Sequence, residues 1–172
     1  MKKALNLQCP YSVFLDTDTF IYSFNTKNQI EYNVLFASMS ALFDDTSVGS
    51  EIKEIYTISI NKLTNSNEPF DSDVGKTIDC IIGNFFADKE KSIIYLCDNT
   101  DRKQSKRNLK FERWYQQSIM KKSLTKIDRT INIDDENTHI TSLIYHNENP
   151  FKSSLEQGYY EVIDTLSDKD LK

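Results

Sequence analysis

Three short stretches near the start of the chain alternate apolar and polar residues with a period of two. This pattern constrains the fold more than any other feature. Tyr11, Val13 and Leu15 form the first stretch, Phe20, Tyr22 and Phe24 the second, and Ile30, Tyr32, Val34 and Phe36 the third. Period two places alternate side chains on one face of a β-strand, where aromatic and β-branched residues pack well. Asp16-Thr17-Asp18-Thr19 and Thr26-Lys27-Asn28 separate the stretches with turn-forming residues, so residues 11–36 read as an antiparallel meander.

Beyond the meander the periodicity changes. Met39, Leu42 and Phe43 suit a short helix ahead of a polar loop at 44–50, and Glu51–Leu63 reads as a strand with Tyr56, Ile58 and Ile60 on one face. Asp73 is a candidate N-cap for a helix in which Val74, Ile78, Ile81, Ile82 and Phe85 recur at helical spacing. The continuous apolar run Ile93–Cys97 has the character of a strand buried on both faces. A second helix follows from about Arg102 to Met120. Ile127, Ile131 and Ile133 then lead through Asp134–Asn137 into Ile140–Tyr145 as a hairpin. Ser153 and Glu156 have the spacing of a capping box for a last helix over 153–166, striped by Leu155, Tyr159, Val162, Ile163 and Leu166. Gly158 inside that helix costs about 1 kcal/mol relative to alanine. The expected class is α+β in a single domain spanning 1–172. It would hold a mixed, mostly antiparallel sheet around a central strand–helix–strand–helix unit.

Several functions are excluded by composition. The four glycines are too scattered for a Gly-rich dinucleotide or kinase-type loop, and Gly75-Lys76-Thr77 lacks the earlier glycine of a P-loop because Phe70 stands there. No apolar run approaches the roughly 20 residues of a membrane-spanning helix, so a soluble chain without a membrane partner is expected. The three cysteines (Cys9, Cys80, Cys97) are an odd count with no close pair, and Cys80 in a helical pattern and Cys97 at the end of an apolar run point to reduced, part-buried thiols and a cytoplasmic location. No metal is expected. Asp16 and Asp18 sit in a turn that favours bonds to their own backbone, and His139 and His146 fall on opposite faces of one strand.

Charge is distributed unevenly. Residues 101–126 carry nine Lys or Arg against Asp101 and Glu112, a net of +7, within a chain whose formal charge is −5. On a helix, Arg102, Lys106, Lys110 and Arg113 fall within about 80° of arc, with Lys103 and Arg107 beside them. Phe111, Tyr115 and Ile119 form the opposite, buried stripe, and Trp114 lies at the boundary. One broad face is thus basic and has an indole at its edge, a surface suited to an acidic protein or to nucleic acid.

Two resemblances add to this. The order of elements from Glu51 through about residue 146 resembles the core of the GNAT acetyltransferase superfamily, and Ser72-Asp73-Val74-Gly75-Lys76-Thr77 occupies the place of that family's acetyl-CoA loop. Of the loop's pattern Gly75 matches, while Ser72 and Thr77 replace a basic or amide residue and a second small residue. The resemblance implies an acetyltransferase-like topology, acetyl-CoA as cofactor and Tyr115 as a general acid. Physical chemistry favours no cofactor, because Asp71 and Asp73 bring two carboxylates to the helix end where a pyrophosphate would sit. The whole chain also resembles a family of small uncharacterised bacterial proteins. That likeness rests on Asp73, Thr77 and Ile78, on Tyr95, Cys97, Asp98, Asp101 and Arg102, and on Phe111 with Trp114. The expected function is a non-catalytic binding or regulatory module that engages an anionic partner through Arg102, Lys103, Lys106, Arg107, Lys110, Arg113 and Trp114. Toxin–antitoxin and antiviral systems use small proteins of this sort. The alternatives are an acyl-CoA-dependent N-acyltransferase with a degenerate loop and an RNA-directed toxin.

Overall fold

The computed structural model describes residues 1–65, 67, 69–97, 104–132 and 138–169. Among the described residues, eight strands and three α-helices make it an α+β protein, and the chain gathers into two compact units. The first comprises Met1–Ala37 with Ile58–Asp88, and the second Ser38–Thr57 with Lys89–Lys172.

In the first unit the expected meander is present as β2 (Val13–Asp16), β3 (Ile21–Asn25) and β4 (Glu31–Ser38, whose last residue falls in the second unit). An edge strand not anticipated from the sequence, β1 (Lys2–Leu5), precedes them and pairs antiparallel with β2. The turns are built as their residues suggest. Asp16 Oδ1 accepts from the Asp18 amide at 3.0 Å, and Thr26 Oγ1 accepts from the amides of Asn28 and Ile30. Helix α1 (Ser72–Phe85) buries Thr77, Ile81, Ile82 and Phe85. Phe85 stacks on Phe36 with ring centroids 4.0 Å apart, and Phe24 stacks between Tyr11 and Tyr32.

The expectation of a reduced thiol at Cys80 is overturned, because Cys80 is paired with Cys9. Both are part-buried, but they are joined in a disulfide with Cα atoms 5.9 Å apart. Their separation of 71 residues hides the proximity from any reading of local spacing. The bond ties the segment between β1 and β2 to α1, and such bonds belong to oxidising compartments rather than to the reducing cytoplasm.

Strand β5 (Ile55–Lys62) begins in the second unit and ends in the first. In the second unit β5, β6 (Ser92–Cys97), β8 (Thr138–His146) and β7 (Leu124–Asn132) are neighbours in that order. The β5–β6 pair is parallel and registers Ile55 with Ser92 and Tyr56 with Ile93; the β6–β8 and β7–β8 pairs are antiparallel. Ile93 and Ile94 are both fully buried, as the continuous apolar run requires. Helix α2 spans Gln104–Gln117 and α3 spans Lys152–Lys169. The Ser153–Glu156 capping box does not form, because the helix begins one residue earlier. Buried Asn149 makes that turn instead, accepting from the Phe151 amide at 2.8 Å and donating to the Glu90 carbonyl at 2.9 Å. Glu156 accepts from the Tyr145 hydroxyl.

The core of this unit gathers α3 residues Leu155, Tyr159, Val162 and Ile163 against Phe43, Ile52, Ile55 and Leu143. Phe43 closes a 3-10 turn at Ser40–Phe43, within the segment expected to be a short helix. Gly158 permits this packing. A Cβ there would come within 2.6 Å of Ile52 Cδ1, 3.1 Å of Phe43 Cδ1 and 3.2 Å of Val48 Cγ2. The glycine that looks like a weakness in the helix is the condition for its close approach.

Two outcomes follow. Gly158→Ala gains about 1 kcal/mol of helix propensity but overpacks a filled site at about 1–3 kcal/mol, so thermal melting shows a net loss of stability. Replacing Cys9 and Cys80 with serine removes closure of the long loop and costs about 4 kcal/mol in the chain-entropy description. Thiol labelling of the unreduced, denatured protein reaches Cys97 alone; labelling of all three cysteines would refute the bond.

Candidate functional site

Two places carry chemistry suggested by the sequence: the start of α1 in the first unit and the surface of α2 in the second.

At the start of α1 the N-cap is Asp71 rather than Asp73. Its carboxylate accepts from the Asp73 amide at 3.0 Å and from the Tyr11 hydroxyl at 2.5 Å, with Lys27 Nζ 4.0 Å away. The Asp71 side chain is only 4% exposed. Hydrogen bonding from Tyr11, joined by that from the Asp73 amide, holds its carboxyl below the ordinary range, while the same contact pushes the Tyr11 phenol up. Thr77 is also committed: its hydroxyl donates to the Asp73 carbonyl at 2.8 Å and accepts from the Tyr11 amide at 3.3 Å. Lys76 pairs with Asp73 at 2.9 Å. Gly75 has open space around its Cβ position, so no close contact demands a glycine. This helix end is filled by its own carboxylate. A helix terminus binds an anion through unpaired amides and a favourable dipole, and here the capping Asp uses both.

The second unit carries a concavity of about 340 Å³ whose lining includes Glu51, Glu54, Glu90, Lys53, Phe151 and Leu155. Glu51 accepts from the Ser154 hydroxyl and Glu54 from the Tyr56 hydroxyl. Three carboxylates against one ammonium make it a poor host for a polyphosphate.

On α2 the predicted buried stripe is right at its centre and wrong at its end. Phe111 is buried and stacks on Tyr95 with centroids 4.5 Å apart. Half-buried Trp114 tilts against Phe111 and Tyr115, and the Tyr115 hydroxyl donates to the Leu124 carbonyl at 3.2 Å. Ile119, expected in the stripe, is 85% exposed. The helix stops at Gln117, and the buried Ser118 takes the place of a further turn, its hydroxyl accepting from the Met120 amide.

Of the proposed contact residues, Arg102 and Lys103 lie outside the described residues. The helix backbone places positions 106, 110 and 113 on the side away from Phe111, and Arg107 lies on the same helix. Arg113 is exposed and has no ion pair among the described residues. Leu109, on the same outward side, is 65% exposed.

Sequence reading missed Lys126. Counted among the cations of the basic island, it is in fact 5% exposed on β7, bonded to Glu112 of α2 at 2.8 Å and to Asp128 at 2.6 Å. Its ammonium also lies 5.7 Å from the Tyr115 ring centre. Burial draws its pKa down, and the hydrogen bonds to Asp128 and Glu112 outweigh that and leave it raised. Asp128 in turn accepts from buried Ser142 at 2.6 Å. The available signal was the Lys126–Asp128 spacing of two, which puts both on one strand face. Among the described residues no group of three or more His, Cys, Asp or Glu is placed to hold a metal ion, and no described helix is long and apolar enough to cross a membrane.

A model of a family of unknown function, DUF6169, matches residues 70–160, just over half of the chain, from before α1 into α3; the chain belongs to that family. No curated protein matches it.

Asp71 gives this region a pH signature. Its folded-state pKa is depressed, so its contribution is present above the unfolded value near 3.9 and is lost as the pH falls through the folded one. Asp71→Asn therefore melts below the parent protein at neutral pH, and the gap closes as the pH drops below about 4. A gap constant from pH 7 to 3 would refute the assignment.

Proposed function

We propose that this member of the DUF6169 family is a small, non-catalytic binding or regulatory module that engages an anionic partner through the outward side of α2. The observation that carries the reading is the fate of the one acid in that helix. Glu112 is bonded to Lys126 and Gln116, and exposed Arg113 has no ion pair among the described residues. The fourteen-residue helix thus carries Lys106, Arg107, Lys110 and Arg113 against that single acid. Ordinary solvation does not require such a concentration of one sign, and a focused positive surface on an acidic body attracts anions.

Acyl-CoA-dependent transfer stands as the alternative reading. Its support is the element order and the parallel β5–β6 pair. Against it weigh the carboxylate seated at the start of α1 and the commitment of the Tyr115 hydroxyl to a backbone carbonyl. An RNA-directed toxin has no comparable support.

The triple replacement of Arg102, Lys106 and Arg113 with serine tests the proposal. Exposed helix charges contribute little to stability, so melting shifts by no more than about 2–4 °C. Retention on immobilised polyglutamate, or on immobilised single-stranded RNA, is expected to fall sharply, and with RNA each lost phosphate contact lowers the salt slope by about 1. Lost stability with unchanged retention would end the proposal. A saturable melting shift with acetyl-CoA, about 2.7 kcal/mol at 100 times its dissociation constant, would promote the transferase instead.

A further inference from the structure

We infer that the Cys9–Cys80 disulfide is a reducible latch. Oxidised, it fastens β1 to the edge of the sheet; opened by a small thiol of the glutathione class, it lets β1 go while the rest of the unit stays folded. All of the parts lie in the first unit. Both cysteines are half-buried, so the bond joins a loop to a helix within reach of solvent and does not run through a closed core. The chain is held differently on the two sides of Cys9. On the later side Tyr11 fixes it independently of the bond. The Tyr11 hydroxyl donates to Asp71 at 2.5 Å, its amide donates to Thr77 Oγ1 at 3.3 Å, and its ring stacks on Phe24. Val13 follows at 2% exposure.

On the earlier side no side chain from Lys2 to Gln8 is buried, and only Leu5 and Leu7 are half-buried. Strand β1 is held by its pairing with β2, from Lys2 opposite Asp16 to Leu5 opposite Val13, and by exposed ion pairs such as Lys2–Glu31 at 4.0 Å. Exposed pairs contribute little, and a strand without a packed face is marginal. The bond supplies the fixed point that these side chains omit. Opening it takes two thiols. One thiolate attacks a sulfur of the bond and expels the other as a thiolate, which takes a proton. A second attacks the resulting mixed disulfide and releases the remaining cysteine, which takes a proton likewise. The protein gains two electrons and two protons, and the two small thiols leave joined as a disulfide. The outer edge of β2 then lacks its partner, and an open strand edge is a template for another strand.

The test places the full chain in native buffer at graded ratios of reduced to oxidised glutathione. Alkylation with peptide mapping reads each cysteine separately, and hydrogen exchange reads the backbone. Cys9 and Cys80 are expected to become alkylated together as reduced glutathione rises, without denaturant, and to close again in oxidised glutathione. With the bond open, amides of β1 and of the β2 edge facing it exchange about tenfold faster, while those of α1 and β3 keep their protection. Three results overturn the inference: a bond that opens only in denaturant, β1 exchange equal in both states, or protection lost throughout the unit, which would make the bond a purely structural one. The double replacement Cys9→Ser and Cys80→Ser is expected to exchange in β1 like the reduced chain and to ignore glutathione. A response to glutathione that persists in it would overturn the assignment to this pair. If that variant does not fold, the reduced and oxidised states of the parent chain decide.

Discussion

A lysine ammonium taken almost wholly out of water has to be answered, and the way Lys126 is answered fixes the surface on which function is argued. Glu112 is one of its two carboxylate partners and lies on α2, whereas Lys126 and Asp128 lie on β7. The ion pair therefore sets the rotation of the helix about its own axis. Phe111 reinforces the same rotation from the apolar side by stacking on Tyr95 of β6. With two such contacts inward, Leu109 and Arg113 have no direction left but outward.

The two regions that drew attention in the sequence thus end in opposite states. At the start of α1, three groups that a phosphate could use have partners within the chain: the Asp73 amide, the Thr77 hydroxyl and the Lys76 ammonium are bonded internally. On α2 the one acid of the helix, Glu112, turns to Lys126 and Gln116, and Arg113 stays exposed. The contrast is one of accounting for hydrogen bonds and charges, not of residue type, since both regions contain acids and bases side by side.

This explains which parts of the molecule were legible in advance. Period-two and helical spacings revealed the meander, α1, the hairpin of β7 and β8, and α3, because burial on one face writes itself directly into the order of residues. Strand β1 was not legible. Four residues at a sheet edge, beginning Lys2-Lys3, carry no apolar alternation to announce them. The Cys9–Cys80 bond was equally hidden, since proximity between residues 71 apart is a property of the fold. The end of α2 failed for a subtler reason: helical phase carried Ile119 into the core, while the buried hydroxyl of Ser118 ended the helix first. Lys126 was misplaced because a cation on a strand looks exposed until its two carboxylates are brought to it.

Gly158 has a consequence for the identity of the family itself. The matched stretch, residues 70–160, includes this glycine and its neighbours Leu155 and Tyr159. The side chains that press into the space it leaves, Phe43, Val48 and Ile52, all precede that stretch, as does Ile55 of the same core. A chain cut at the beginning of the match would keep a helix shaped for a close neighbour and lose the neighbour. Leu155 and Tyr159, now at 2% and 0% exposure, would meet water there. The stretch by which the protein is recognised is thus an open half of a core, and the residues that close it arrive earlier in the chain.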